Sequence, residues 1–408
     1  MKLAFLRLDP QAARENLAMQ IAVPEYALNI LDRLESHGFE AFVVGGCVRD
    51  SLLGVTPGDW DVCTAATPEE MRACFSGMRV IETGLKHGTL TVRSGGQNVE
   101  VTTYRLDGPY LDHRRPESVR FVRALEMDLM RRDFTVNAMA YSPKRGLVDR
   151  FGGQEDLARR LIRCVGEPRE RFEEDALRLL RALRFAARFG FDIESGTALA
   201  LREKASLMAA VAAERIFAEW KKLVTAPASR QILTEYADLF ARWMPGLDTS
   251  RAAMLGYWDL LPARSDLRTA LLCRDPEALC AFLKTDGTFK KRVARLWECE
   301  GEPLPDSPVM VLRFLAACGE DTFSDRLDLA RARGEDADMC LGHLHTAQQQ
   351  GRVWRVRDMA VTGSDLTSLG FSGPALGGAL NALLEAVMKG QVPNEKEALL
   401  AAAQCMKK

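Results

Sequence analysis

Hydrophobic periodicity changes once along this 408-residue chain, near Gly152, and that change limits the fold more than any single motif. Before it come short apolar runs separated by turns, at 41–44, 59–63, 79–81, 88–93, 98–105 and 119–121. Two more, Asn137 to Tyr141 and Leu147 to Asp149, close the segment. Such short runs, alternating where one face is buried, read as strands. One helix stands among them, over 24–36, where Tyr26, Leu28, Ile30, Leu31 and Leu34 fall at helical spacing and Gly38 follows. From Glu155 onward, Leu/Ala/Arg-rich segments keep helical periodicity, and Gly190, Pro227, Pro245, Pro262, Pro303, Pro305 and Pro308 punctuate them. The expected fold is α+β: an N-terminal domain on a small mixed sheet, followed by all-α domains. A chain of this length holds two to four domains. We expect boundaries at 1–148, 149–222, 223–302 and 303–408, the last beside a Pro/Glu/Gly-rich stretch at 300–308.

Composition removes several classes of function. Hydrophobic content is 47% and charge 27%, as in ordinary globular proteins. Net charge is −1, yet residues 105–190 hold 19 Lys/Arg against 14 Asp/Glu, so basic charge is gathered in one region. Ten scattered cysteines form no C-x-x-C pair, which fits reduced thiols and a cytoplasmic location. Five histidines give no H-E-x-x-H, and His343 and His345 read as structural or surface residues. No apolar run reaches the roughly 18 residues of a membrane span, and Arg7 and Asp9 break the N-terminal apolar stretch, so no signal peptide is expected.

Within the strand-rich segment, GGCVRDSLLG (45–54) precedes Asp59-Trp60-Asp61. Gly45 and Gly46 turn the chain out of a strand and into a short helix, where free backbone N–H groups suit phosphate. On a strand over Asp59 to Cys63, Asp59 and Asp61 share a face, with Cα atoms about 7 Å apart. Paired carboxylates completed by substrate phosphate oxygens are the ligand set of a hard cation such as Mg²⁺. A solvated strand edge is the plainer reading of the pair alone. Glu100, flanked by Val99 and Val101, is a candidate third carboxylate. His87-Gly88-Thr89 is either a turn or a set of polar groups near a triphosphate. The loop from Asp107 to Pro116 reads as a mobile element over the site or an ordinary surface loop.

Two further stretches supply guanidinium groups. In RRDFTVNA (131–138), Arg132, Asp133 and Asn137 join Arg49, Gly45 and Gly46 as candidate nucleotide contacts, with an internal salt bridge to Asp133 as the competing role. In RFEEDALRLLRALRF (171–185), read as one helix, Asp175 and Arg178 lie on one face at i, i+3, with Arg181 and Arg184 further round. They are either a helix-stabilising pair or a base reader. An Asp accepts from an exocyclic amine while an Arg donates to the neighbouring ring nitrogen. Cytosine and adenine offer that edge, whereas guanine and uracil offer a ring N–H beside a carbonyl and are rejected.

With these motifs in this order, together with HGT (87–89), VEVTTYRLDG (99–108) and AERI (213–216), the chain resembles the class II tRNA nucleotidyltransferases, the CCA-adding enzymes, which share their fold with bacterial poly(A) polymerases. VTGSDLTSLGFSGPALGGAL (361–380) and VPNEKEALL (392–400) are similar to the tail of the bacterial enzymes. The resemblance implies a nucleotidyltransferase head, then a helical neck, body and tail. It implies Mg²⁺ on Asp59 and Asp61, CTP and ATP read by Asp175 and Arg178 with Arg132 moving alongside, and a tRNA acceptor stem and elbow held by body and tail. It also implies in-line attack of the tRNA 3′-hydroxyl on the α-phosphate. The loop at 107–116 disfavours CC-only addition and leaves A-only addition open. Poly(A) polymerase ranks third and a non-catalytic RNA-binding protein last. Residues 1–20 match nothing in the family, no histidine-aspartate phosphohydrolase pattern follows the neck, and neither a membrane nor an obligate protein partner is expected.

Overall fold

A computed structural model describes residues 21–82, 84–108 and 118–406. Most of the loop expected over 107–116, and all of residues 1–20, lie outside the described residues. The chain divides into two compact units, Met1–Trp243 and Met244–Lys408.

The first unit is built on one seven-stranded sheet. Its strands are β1 Ala41–Val44, β2 Val62–Thr64, β3 Val80–Ile81, β4 Thr89–Ser94, β5 Gln97–Thr103, β8 Met139–Ser142 and β9 Gly146–Asp149, in the order β3-β4-β5-β2-β1-β8-β9. A separate ribbon pairs β6 (Arg105–Asp107) with β7 (Val119–Phe121). Within the main sheet only β2 and β5 run parallel, with Val62 opposite Val101; the other pairs are antiparallel. The sheet is therefore mixed, as expected. All four residues of β1 are buried, which suits a central strand of Ala, Phe and Val. Phe42, Val44, Cys63, Tyr104, Leu129 and Ala140 pack in the core under the glycine turn. The helix Glu25–Ser36 buries Ala27, Ile30, Leu31 and Leu34.

Strand β2 is shorter than expected. It begins at Val62, so Asp59 and Asp61 sit in the extended lead-in after Pro57 and Gly58. Alternation survives there: Asp59 and Asp61 are exposed, while Trp60 and Val62 are buried. The Asp61 carbonyl still accepts the Val44 N–H at 3.0 Å. The pair keeps its shared face but owes it to the lead-in rather than to ladder pairing.

The rest of the unit is helical: Pro168–Glu174, Leu177–Phe189, Ser195–Glu203, Ala213–Val224, Ser229–Glu235 and Ala237–Trp243. One short parallel pair, β10 (Leu161–Ile162) with β11 (Asp192–Ile193), interrupts them. The stretch 171–185 is not one helix. It breaks at Asp175, whose backbone is extended (φ −136°, ψ 102°). The Asp175 carboxylate accepts from the N–H of Leu177, the first residue of the second helix, at 3.1 Å. A short acidic side chain serves better at a helix start than inside a helix. The second unit is helical throughout its described elements, among them Gly287–Glu298, Pro308–Arg333 and Ala337–Gln349. Gly319 breaks the long middle helix with φ +82°, a region glycine enters freely.

Candidate active site

The glycine turn is a product of the sheet. Gly45 leaves β1 with φ +78° and donates its N–H to the Met139 carbonyl on β8 at 3.0 Å. A Cβ on Gly45 would lie 2.9 Å from Arg132 Nη1. Arg132 thus rests against the turn, which no side chain but hydrogen allows. Gly45→Ala should cost about 1–2 kcal/mol from the positive φ alone and displace Arg132; denaturant unfolding and nucleotide affinity together check this.

Arg132 reaches the turn from the segment after the short helix Leu125–Met130. Its Nη2 donates to Asp128 Oδ2 at 3.1 Å, and its buried Nε has no hydrogen-bond partner among the described residues. Burial works against its charge, but neighbouring acids, Asp128 foremost, outweigh burial and raise its pKa. One of those acids is Asp61. Arg132 therefore stands between the glycine turn and the carboxylates.

Solvent reaches the Asp61 side chain, yet enough protein surrounds it to push its pKa up to about 6. Desolvation is the larger cause, followed by the charges of Asp59 and Glu100, with Arg132 pulling the other way. Glu100 is exposed on β5 and opposite Thr91 of β4. Three like charges sense one another with one guanidinium to offset them, an arrangement a divalent cation relieves. Among the described residues no group of three His, Cys, Asp or Glu side chains is gathered at ligating spacing. A cation here would rest on Asp59 and Asp61 and complete its shell from substrate oxygens, as hard cations do.

Arg49 has a different place from the one expected. It is 4% exposed: Nε donates to Asp50 Oδ1 at 2.8 Å and Nη1 to Asn137 Oδ1. Its guanidinium lies 5.3 and 4.8 Å from the ring centroids of Phe185 and Phe189. Asn137 Nδ2 donates to Asp133 Oδ1 at 3.0 Å, and Arg181 donates to Asp133 Oδ2 at 2.9 and 2.5 Å. Arg188 reaches Asp50 Oδ2 at 3.0 Å. These side chains form one polar network joining the helix after the glycine turn to the helix Leu177–Phe189. The internal salt bridge weighed for Asp133 is present, but its arginine is Arg181.

Burial raises the pKa of Asp133, but Arg181 and Asn137 prevail and hold it well below the usual carboxylate range; Arg132 and Arg131 likewise outweigh burial at Asp128. Both folded pKa values are depressed, so both contributions to stability are present above about pH 4 and are lost as pH falls through the folded values. The denaturation midpoint should drop below pH 4, and this drop should shrink in Asp133→Ala. That variant leaves Asn137 and the partly solvated Arg181 unpaired, at a cost of about 3 kcal/mol.

Asp175 and Arg178 are neighbours at the helix break: the Arg178 N–H donates to the Asp175 carbonyl at 2.9 Å. Their side chains do not pair. Arg215 grips Asp175 with two bonds of 3.2 and 2.9 Å. Arg178 donates to Glu174 Oε2 at 2.6 Å and to the Arg131 carbonyl at 2.9 Å. The i, i+3 ion pair expected on a continuous helix is absent because Asp175 is outside the helix. Arg184 pairs with Glu219, both buried. Glu174, Arg215, Glu219 and Asp128 were not singled out in the sequence. Glu174 to Arg178 and Asp128 to Arg132, both at i, i+4, gave a local signal; Arg215 and Glu219 gave none.

Residues 41–163 match the Poly A polymerase head domain, 190–250 the RNA and SrmB-binding site of polymerase A, and 267–403 the tRNA nucleotidyltransferase domain 2. The chain is 39% identical over 391 residues to the CCA-adding enzyme of Geobacillus kaustophilus, covering 92% of this chain and 96% of that protein. It is 36% identical to the CCA-adding enzyme of Limosilactobacillus fermentum, covering 93% of this chain and 96% of that protein. A crystal structure of the Bacillus stearothermophilus CCA-adding enzyme in complex with CTP superposes with a TM-score of 0.81 at 34% identity, covering 94% of this chain and 97% of that one. With its motifs in order, its mixed-sheet fold and relatives matched over nearly their whole length, the chain belongs to the CCA-adding enzyme family of tRNA nucleotidyltransferases.

Proposed function

We propose that the chain adds C, C and A to the 3′ end of tRNA, using CTP and ATP and releasing pyrophosphate. The observation that supports this reading is the helix break at Asp175. It puts Asp175 just ahead of the second helix and Arg178 in that helix's first turn, each side chain with its own holding partner, Arg215 or Glu174. A carboxylate that accepts from an exocyclic amine, next to a guanidinium that donates to a ring nitrogen, fits cytosine and adenine and opposes guanine and uracil.

The remaining residues take roles consistent with their surroundings. Backbone N–H groups at Gly45 and Gly46 suit the triphosphate, and Arg132 brings the nearest guanidinium to them. Arg49, Asp133, Asn137 and Arg181 hold the reading helix in register with the turn, and Arg184 braces it through Glu219. Asp59 and Asp61 would hold Mg²⁺, with Glu100 as a third charge nearby; the ion would supply positive charge to offset the triphosphate during attack by the tRNA 3′-hydroxyl. Head, neck, body and tail divide near 148, 222 and 302, and body and tail take the acceptor stem and elbow through phosphate contacts. No described helix is long and apolar enough to cross a membrane, and a tRNA substrate fits the cytoplasm.

Equilibrium binding of the four nucleoside triphosphates, with Mg²⁺ and without tRNA, tests the base-reading step. CTP and ATP should bind about tenfold or more tighter than UTP and GTP, the discrimination expected of one two-point contact to a base edge. Equal affinities would remove Asp175 and Arg178 as readers.

A further inference from the structure

The roles assigned above give Asp128 no part in nucleotide binding, yet it is wholly buried on the short helix Leu125–Met130, just ahead of Arg131 and Arg132. Its Oδ1 accepts from Arg131 Nε and Nη2 at 3.0 and 2.8 Å, and its Oδ2 accepts from Arg132 Nη2 at 3.1 Å. These partners fall at i, i+3 and i, i+4, so the backbone itself sets the carboxylate between them. A carboxylate buried this deeply is costly unless both oxygens are paired. Neither arginine can leave it without that cost.

The two arginines lead to different places. Arg132 Nη1 rests against the glycine turn, where a Cβ on Gly45 would lie 2.9 Å away. Among the described residues, Asp128 is the one carboxylate that Arg132 hydrogen-bonds. Arg131 leads instead to the helix break. Its carbonyl accepts from Arg178 Nη2 at 2.9 Å, and the preceding carbonyl, of Met130, accepts from Arg171 Nη1 at 3.1 Å. Asp107 Oδ2 adds a longer contact of 3.7 Å to Arg131 Nη1. The two bonds from Asp128 thus restrain a residue whose backbone in turn holds Arg178.

We propose that Asp128 is a positioning residue that keeps the triphosphate contact of Arg132 and the base-reading guanidinium of Arg178 in one register, a role that rests on the function proposed above. Through Oδ2 it keeps Arg132 at the glycine turn, beside the Gly45 and Gly46 N–H groups that suit phosphate. Through Oδ1 it fixes Arg131, whose carbonyl holds Arg178 ready for the base edge. Asp128 itself touches neither phosphate nor base. A nucleotide whose triphosphate meets Arg132 finds the reader already oriented, and loss of the one carboxylate loosens both contacts at once.

Equilibrium binding to the full-length protein, with Mg²⁺ and without tRNA, tests this with CTP, UTP and inorganic triphosphate as ligands. Inorganic triphosphate has no base and reads the Arg132 contact alone. The ratio of CTP to UTP affinity reads the Arg178 contact and does not depend on how much of the protein is folded. In Asp128→Asn, inorganic triphosphate should bind about fivefold or more weakly, and the preference for CTP should fall by a similar factor. Arg131→Lys leaves Asp128 and Arg132 in place. It should lower the CTP preference by about the same factor while inorganic triphosphate binds as it does to the unsubstituted protein. Arg132→Lys should do the reverse. Either change missing in Asp128→Asn would overturn the proposal. So would an unaltered CTP preference in Arg131→Lys, the variant that decides the matter if Asp128→Asn does not fold. Equal binding of CTP and UTP by the unsubstituted protein would instead overturn the base reading on which the proposal rests.

Discussion

Replacing Asp61 with alanine should abolish nucleotide addition and leave the fold intact. Burial, with repulsion from Asp59 and Glu100 adding to it, pushes the Asp61 pKa up to about 6, so the fold gains nothing from its charge. A carboxyl with a raised folded pKa opposes folding at pH values above its ordinary range, where it must ionise. Asp61→Ala should therefore unfold no earlier than the unsubstituted protein at pH 8. Its backbone carbonyl, which pairs with Val44, is unaffected. Activity should move the other way: removing one of two cation ligands forfeits several kcal/mol of charge stabilisation, about 10³-fold or more in kcat/KM. Thermal unfolding and single-turnover extension, measured on one preparation, separate the two effects. Unchanged turnover in Asp61→Ala would refute its place at a cation.

The second large effect concerns choice of nucleotide. Arg178→Ala should relax discrimination against UTP and GTP by about 1–3 kcal/mol, or roughly 5- to 150-fold. Arg178 also donates to the carbonyls of Arg171 and Arg131, so its loss loosens the helix junction. Asp175→Asn is the cleaner partner experiment. It keeps size and one acceptor oxygen but turns the other into a donor, so CTP and ATP should lose more affinity than UTP and GTP. Misincorporation measured with each nucleotide alone reports both variants. Selectivity unchanged in both would take base reading away from this junction.

How much of this was visible in the sequence depended on whether the forces were local. The strands of the sheet were legible because buried apolar runs bounded by turns leave a local trace; 41–44 matched to the residue. The glycine turn was legible because positive φ leaves glycine as the permitted residue at 45. Carboxylates at 59 and 61 kept their shared face even though the ladder begins one residue later. What stayed hidden was set by distant partners. Asp175 reads as mid-helix by spacing, yet Arg215, forty positions on, holds its carboxylate, and its extended backbone breaks the helix. Arg49 reads as a nucleotide contact because it follows a glycine turn. Phe185, Phe189 and Asn137 enclose it instead. An arginine's partner is a tertiary fact, and a chain with 55 basic and 56 acidic residues offers too many candidates for pairing by sequence.

The most direct test of the account is end-sequencing of one tRNA transcript prepared in three forms: lacking CCA, ending in C, and ending in CC. Each is incubated with the purified protein, Mg²⁺ and CTP, ATP or both. The account predicts that every transcript ends in CCA when both nucleotides are present, that CTP alone stops at CC, and that ATP alone extends only the CC form, by one A. A single A added only to the CC form under every condition, or a long A tail on any of them, would contradict it.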